Sequence, residues 1–175
     1  MGYAEDRSFA DRFTPAIKRI LGGLMIEEAT EEEDTQHATD LVLVAKSGLR
    51  VGCRIRRSQY ADKYPWEFTI RNSKASGAKT EAEKIFDDGW GDWLFYGFAE
   101  EHGAELQRWM VIDLSALRTH AATMPIKVMR AYDATFRVFD ARYFPATPKI
   151  LIDASHIDEY VCLHEELPVG FPLNA

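Results

Sequence analysis

Residues 49–57, Leu-Arg-Val-Gly-Cys-Arg-Ile-Arg-Arg, alternate apolar and basic side chains with a period of two. That period belongs to a β-strand, whose successive side chains leave opposite faces of the sheet. Leu49, Val51, Cys53 and Ile55 then share one face, and Arg50, Gly52, Arg54 and Arg56 share the other. A few residues on, Glu67-Phe-Thr-Ile-Arg71 repeats the pattern, with Phe68 and Ile70 on one side and Glu67, Thr69 and Arg71 on the other. Two such strands in succession demand a sheet with one apolar face to bury and one polar, arginine-bearing face. Like charges on neighbouring strands repel. An anion or carboxylates must therefore offset the arginines, either at a binding site or in an ion-pair network.

The remaining elements follow from period and punctuation. Phe9, Phe13, Ile17, Ile20, Leu21 and Leu24 recur at three and four, which predicts a helix over residues 8–25 with Pro15 near its start. Glu27 and Glu28 close it, and Glu31 to Asp34 read as a solvated acidic run. Residues 41–45 and 49–57, joined through Lys46-Ser-Gly48, read as a β-hairpin with Asp40 at its entrance. Thr80 with Glu83 three residues on is a capping box opening a short helix that Gly89 and Gly91 end. Residues 93–99 and 106–114 read as strands, residues 115–122 as a short helix N-capped by Asp113, and residues 136–143 as a further strand. The order, helix, three-stranded meander, helix, two more strands, predicts an α+β (α/β-like) fold with a central mixed β-sheet flanked by helices. A chain of 175 residues suits one domain, with the core over about residues 8–118 and residues 119–175 packed on it as an extension.

Charge narrows the function classes. The chain carries a net charge of −7, unlike domains that coat nucleic acid without selectivity. The imbalance is local: residues 46–84 hold ten Lys/Arg against four Asp/Glu, a charge of +6 that leaves −13 for the rest. Cys53 and Cys162 form no C-x-x-C pattern, and the five histidines show no i, i+4 pair, which argues against a zinc site. Neither a phosphate-binding G-x-x-x-x-G-K-[ST] nor a G-x-S-x-G elbow is present. No apolar run is long enough to span a membrane, and the polar N-terminus has no apolar signal core. A cytoplasmic setting is the expectation.

The pattern offers parts for phosphodiester chemistry. Such chemistry uses a metal to bind phosphate and activate water, and a cation to offset charge in the transition state. Mg²⁺ takes oxygen ligands, so carboxylates must converge. Asp40 at a strand entrance, Glu67 starting the third strand, Glu81 in the first helical turn and Lys84 three residues on, with Glu27 or Glu28 before them, converge if helices flank the sheet. Each residue also has a plain reading. Asp40 can satisfy backbone amides, Glu81 can face a helix N-terminus, and Arg54, Arg56 and Arg71 can be salt-bridged sheet residues. The aromatic segment Trp90-Gly-Asp-Trp-Leu-Phe-Tyr-Gly-Phe98 is core packing or, alternatively, a stacking platform for unpaired bases.

A helix, an acid-led strand, a glycine turn, a second strand and then more sheet and a helix resemble the PD-(D/E)XK nuclease superfamily over residues 10–115. The resemblance places Asp40 on the first acid and Arg54 and Arg56 on the positions of the family's Glu and Lys. Arg56 would keep the charge of that lysine without its proton chemistry. Arg54 replaces a metal ligand by a cation, so Glu81 and Lys84 would supply the migrated Glu and Lys. This implies Mg²⁺ on Asp40 with Glu67 or Glu81, Lys84 or Arg56 at the transition state, and phosphate held by Arg54 and Arg71. The segments "CRIRR", "YPWEFTIR" and "WMVIDLSALR" also resemble uncharacterised bacteriophage proteins. Two functions are thereby in view: a nucleic-acid-engaging protein, with or without Mg²⁺-dependent hydrolysis, and a non-catalytic phage protein that binds a host protein as a defence inhibitor or nucleic-acid mimic.

Overall fold

The computed structural model describes residues 3–24, 26–28, 41–43, 49–123, 127–131, 133–144 and 150–158. In chain order they form α1 (Tyr3–Asp11), α2 (Thr14–Leu24), β1 (Ile26–Glu28), β2 (Leu41–Leu43), β3 (Val51–Arg56), β4 (Glu67–Lys74), β5 (Trp93–Ala99), β6 (Leu106–Asp113), α3 (Leu114–His120), β7 (Lys127–Ala131), β8 (Ala134–Asp140) and β9 (Leu151–Ala154). A four-stranded mixed sheet has the order β3-β5-β6-β9, with β3 parallel to β5 and the other pairs antiparallel. A second, antiparallel sheet has the order β4-β8-β7. Strands β1 and β2 pair with each other in a short antiparallel ribbon.

Strand β5 explains how the layers stack. It runs between β3 and β6 and is apolar along its whole length because both of its faces are covered. Leu94, Tyr96 and Phe98 enter a core shared with Phe68 and Ile70 of β4, Met110 and Ile112 of β6, and Phe139 of β8. Ring contacts order that core: Phe68 stacks on Phe139 at 5.3 Å, and Tyr96 meets Phe98 edge-on at 5.6 Å. Each such pair contributes about 0.5–1.5 kcal/mol beyond its buried area. Phe95 and Ala99 point the other way, where Phe13 and Ile17 cover them together with Val111. The mixed sheet is thus covered by helices on one face and, across the main core, by the second sheet.

Several expectations change. Strands β2 and β3 belong to different ladders, so they do not form the expected hairpin: β2 pairs with β1, and β3 lies parallel to β5. Glu27 and Glu28 lie in a strand rather than at a helix end. The single helix over residues 8–25 is two helices. Pro15 has no N–H for a bond to the carbonyl of residue 11, and its ring crowds that carbonyl, so a new first turn starts at Thr14. The expected meander of three strands is also split, because β4 leaves for the second sheet. Residues 119–175, expected to pack on the core, supply β8, the middle strand of that sheet, and β9, an outer strand of the first. No helix of the described residues is long and apolar enough to cross a membrane.

Local chemistry holds where it was read. The Thr80 amide and hydroxyl donate to Glu83 Oε2 at 2.6 and 2.8 Å, and the Glu83 amide returns a bond to Thr80 Oγ1 at 3.3 Å. These bonds hold the Glu83 carboxyl below the usual carboxylate range, the backbone bond contributing most. The helix they open is a five-residue π turn, Glu83–Asp87. Asp113 caps α3 by accepting from the amides of Ser115 at 2.7 Å and Ala116 at 2.9 Å.

Candidate functional site

The register of β3 on β5 decides where the arginines go. Arg54 lies beside Tyr96, so its side chain leaves the sheet on the Leu94–Tyr96–Phe98 side, toward the second sheet. The basic face of β3 is therefore an inward face. Burying a guanidinium is costly unless its donors are met, and here both terminal nitrogens find acceptors. The Arg54 side chain is 18% exposed, and its Nη2 donates to Glu81 Oε2 at 2.6 Å. Its Nη1 donates to the Thr69 carbonyl and hydroxyl, both at 3.3 Å, and its plane lies 5.5 Å from the Phe136 ring centroid. Thr69 Oγ1 and the Tyr96 hydroxyl are 3.1 Å apart, and Arg56 Nη1 donates to that same hydroxyl at 3.4 Å. Arg56 also lies 4.1 Å over the Tyr60 ring. Arg54 and Arg56 thus serve the junction between the sheets.

Arg71 behaves differently. Its backbone N–H donates to Glu81 Oε2 at 2.9 Å, so one carboxylate oxygen ties β4 to Arg54 of β3. Its guanidinium shares the Phe136 ring with Arg54, at 5.6 Å. Its Nε is buried and has no hydrogen-bond partner among the described residues. Arg71 also lines a cleft of about 550 Å³ between the helices and β3, where Cys53 and Ile55 form one wall. From α1 and α2 the cleft receives Arg7, Asp11 and Lys18, so among the described residues three cations face one acid. Arg7 and Asp11 are an exposed i, i+4 pair at 3.7 Å, worth little in stability. Cys53 is open to solvent, and the desolvation it does feel raises its thiol pKa. It stays protonated near neutral pH, which is the wrong state for a nucleophile.

Of the expected catalytic residues the structure describes Glu67, Glu81 and Lys84, and it separates Glu67 from Glu81. Asp40 lies outside the described residues. Glu81 is at the sheet junction, with one oxygen already accepting two donors. Glu67 opens β4 four residues before Arg71, about 13 Å along an extended strand. There it pairs across the ladder with Asp140, whose carboxylate takes Arg142 Nε at 2.9 Å and Nη2 at 2.5 Å. Those bonds to Asp140, with a smaller contribution from the Glu67 charge, raise the Arg142 pKa. Glu67 therefore lies near the Asp140–Arg142 ion pair and away from Glu81. Lys84 is exposed on the π turn. Among the described residues no three His, Cys, Asp or Glu side chains gather as a metal would need.

Sequence reasoning missed Thr69, Tyr96 and Phe136, which turn the arginine face into a closed network, and Arg7 and Lys18, which make the cleft basic. A buried threonine opposite an arginine strand was the available signal for the network. The cleft left none, because it depends on how the helices dock. Comparison with family models, curated proteins and solved structures finds no match for this chain.

Proposed function

We propose that this chain engages nucleic acid through the cleft, with Arg71, Lys18 and Arg7 as its phosphate contacts. The observation that carries the reading is the cleft itself, where Arg71, Lys18 and Arg7 face one acid among the described residues. A phosphate oxygen is the acceptor a guanidinium fits best. The reading is one of binding. A Mg²⁺ site on Asp40 with Glu67 or Glu81, on a nuclease-like core, would add hydrolysis to that binding; Glu67 and Glu81 stand at different levels of β4, so at most one of them would join Asp40.

The test is a salt titration of binding to a short fluorescent single strand, beside a cleavage assay with Mg²⁺ and with Mn²⁺. Three cations neutralising three phosphates give a slope of log K on log salt of about −2, or a roughly 20-fold loss between about 50 and 200 mM salt. The expected result is that slope with no cleavage. Absence of salt-dependent binding removes the reading, and metal-dependent cleavage lost in Asp40→Ala restores the hydrolytic one.

A further inference from the structure

Trp90 is not used by the core or by the cleft. It is 60% exposed. Its loop is held firmly. Gly89 and Gly91 flank it with φ of 68° and 83°, values that favour glycine. A Cβ on Gly91 would also come within 2.9 Å of Leu114 Cδ1. The Trp90 amide donates to the Lys84 carbonyl at 2.8 Å, and Arg118 Nη1 donates to the Gly91 carbonyl at 3.3 Å. Asp92 closes the base of the loop: its carboxylate accepts from the Arg50 amide at 2.8 Å and from Arg50 Nε at 3.3 Å. Arg50 lies 5.9 Å from the indole centroid.

We propose that Trp90 is a stacking site for an unpaired base, with Arg50 beside it for the adjoining phosphate. The inference rests on the nucleic-acid reading of the cleft and adds that the strand is single. An indole held out on a fixed loop offers a π-face whose ordering cost is already met, and any base can use it. Two of the neighbouring acids are already matched, Asp92 by Arg50 and Asp88 by Lys79 at 2.5 Å, which leaves Asp87 as the exposed acid nearest in sequence. Arg50 directly precedes β3, and Cys53 of the cleft wall lies three residues on, on the other face of that strand. β3 is the outer strand of its sheet, so an oligonucleotide using both sites passes its edge, over about 10 Å of strand.

The experiment compares wild type, Trp90→Ala, Trp90→Phe and Arg71→Ala on a single strand and on the duplex of the same sequence, with thermal unfolding as a control for folding. The expected result is a roughly tenfold loss of single-strand affinity in Trp90→Ala, a smaller loss in Trp90→Phe, and unchanged duplex affinity. If Trp90→Ala binds the single strand as well as wild type does, while Arg71→Ala weakens it, the stacking site is wrong and the cleft reading stands. Equal losses on single strand and duplex also overturn stacking. If wild type binds neither, both readings fall.

Discussion

Arg54 and Arg71 share a carboxylate and an aromatic ring, yet one belongs to the scaffold and the other faces a cleft. Arg54 has its guanidinium donors placed on Glu81 and Thr69. Arg71 uses only its backbone N–H on Glu81 and keeps an unsatisfied Nε. The local charge is the same in both places; what differs is whether the protein completes the hydrogen bonding itself. A closed network stabilises the join between the two sheets, and an arginine outside it lines a cleft. An arginine-rich strand is therefore a poor marker of a binding site until its donors have been followed to their acceptors.

The largest effect should come from breaking the closed network. Glu81→Ala leaves the mostly buried Arg54 without its carboxylate and Arg71 without an acceptor for its amide. The expected cost is about 1–3 kcal/mol, or several degrees in Tm for a chain of this size. Urea or thermal unfolding measures it, and an unchanged midpoint would mean that Glu81 is a surface acid. Arg71→Ala sharpens the contrast from the other side. It keeps the amide bond to Glu81 and loses only the packing on Phe136, so stability should fall by under about 1 kcal/mol, whereas the salt slope of single-strand binding should shrink by about 0.7. A stability loss as large as that of Glu81→Ala would make Arg71 a scaffold residue too.

Much of the scaffold was legible because it is local. The Thr80–Glu83 box and the Asp113 cap act within three residues, and the apolar run of β5 read as a strand. The failures are non-local. Alternation over residues 49–57 established a strand with two unlike faces but not which face turns inward, and a long guanidinium over rings can occupy an interior face once Glu81 and Thr69 are in reach. Parallel pairing of β3 with β5 joins residues about forty apart, which no turn signal announces, so a glycine between two strand patterns suggested a hairpin instead. Strand β7 was overlooked because it lies at a sheet edge and three of its five residues, Lys127, Val128 and Arg130, are exposed. The stretch from Trp90 to Phe98 was weighed as a unit, although the glycines around Trp90 separate a displayed loop from the buried strand that follows.

The smallest expected effect concerns acid. The Asp92 carboxyl is held below its usual range, first by the Arg50 amide and then by the Arg50 side chain. Because its folded pKa is the lower one, the bond contributes fully above the ordinary carboxylate pKa and is lost only as pH falls through the folded value. Indole emission attributable to Trp90, taken as the difference from Trp90→Phe, should stay constant from neutral pH down to about 4 and change below it. Asp92→Asn should remove that acid transition, and a change well above that pH would assign it to another group.

The contrast between the two arginines is tested most directly by salt titrations of single-strand binding on wild type, Arg54→Ala and Arg71→Ala, each first confirmed as folded. The account predicts a slope of about −2 from the three cleft cations, steeper by about 0.7 with Arg50 engaged, that is the same in wild type and Arg54→Ala and smaller by about 0.7 in Arg71→Ala. Equal slopes for all three, or a reduced slope in Arg54→Ala alone, would contradict it.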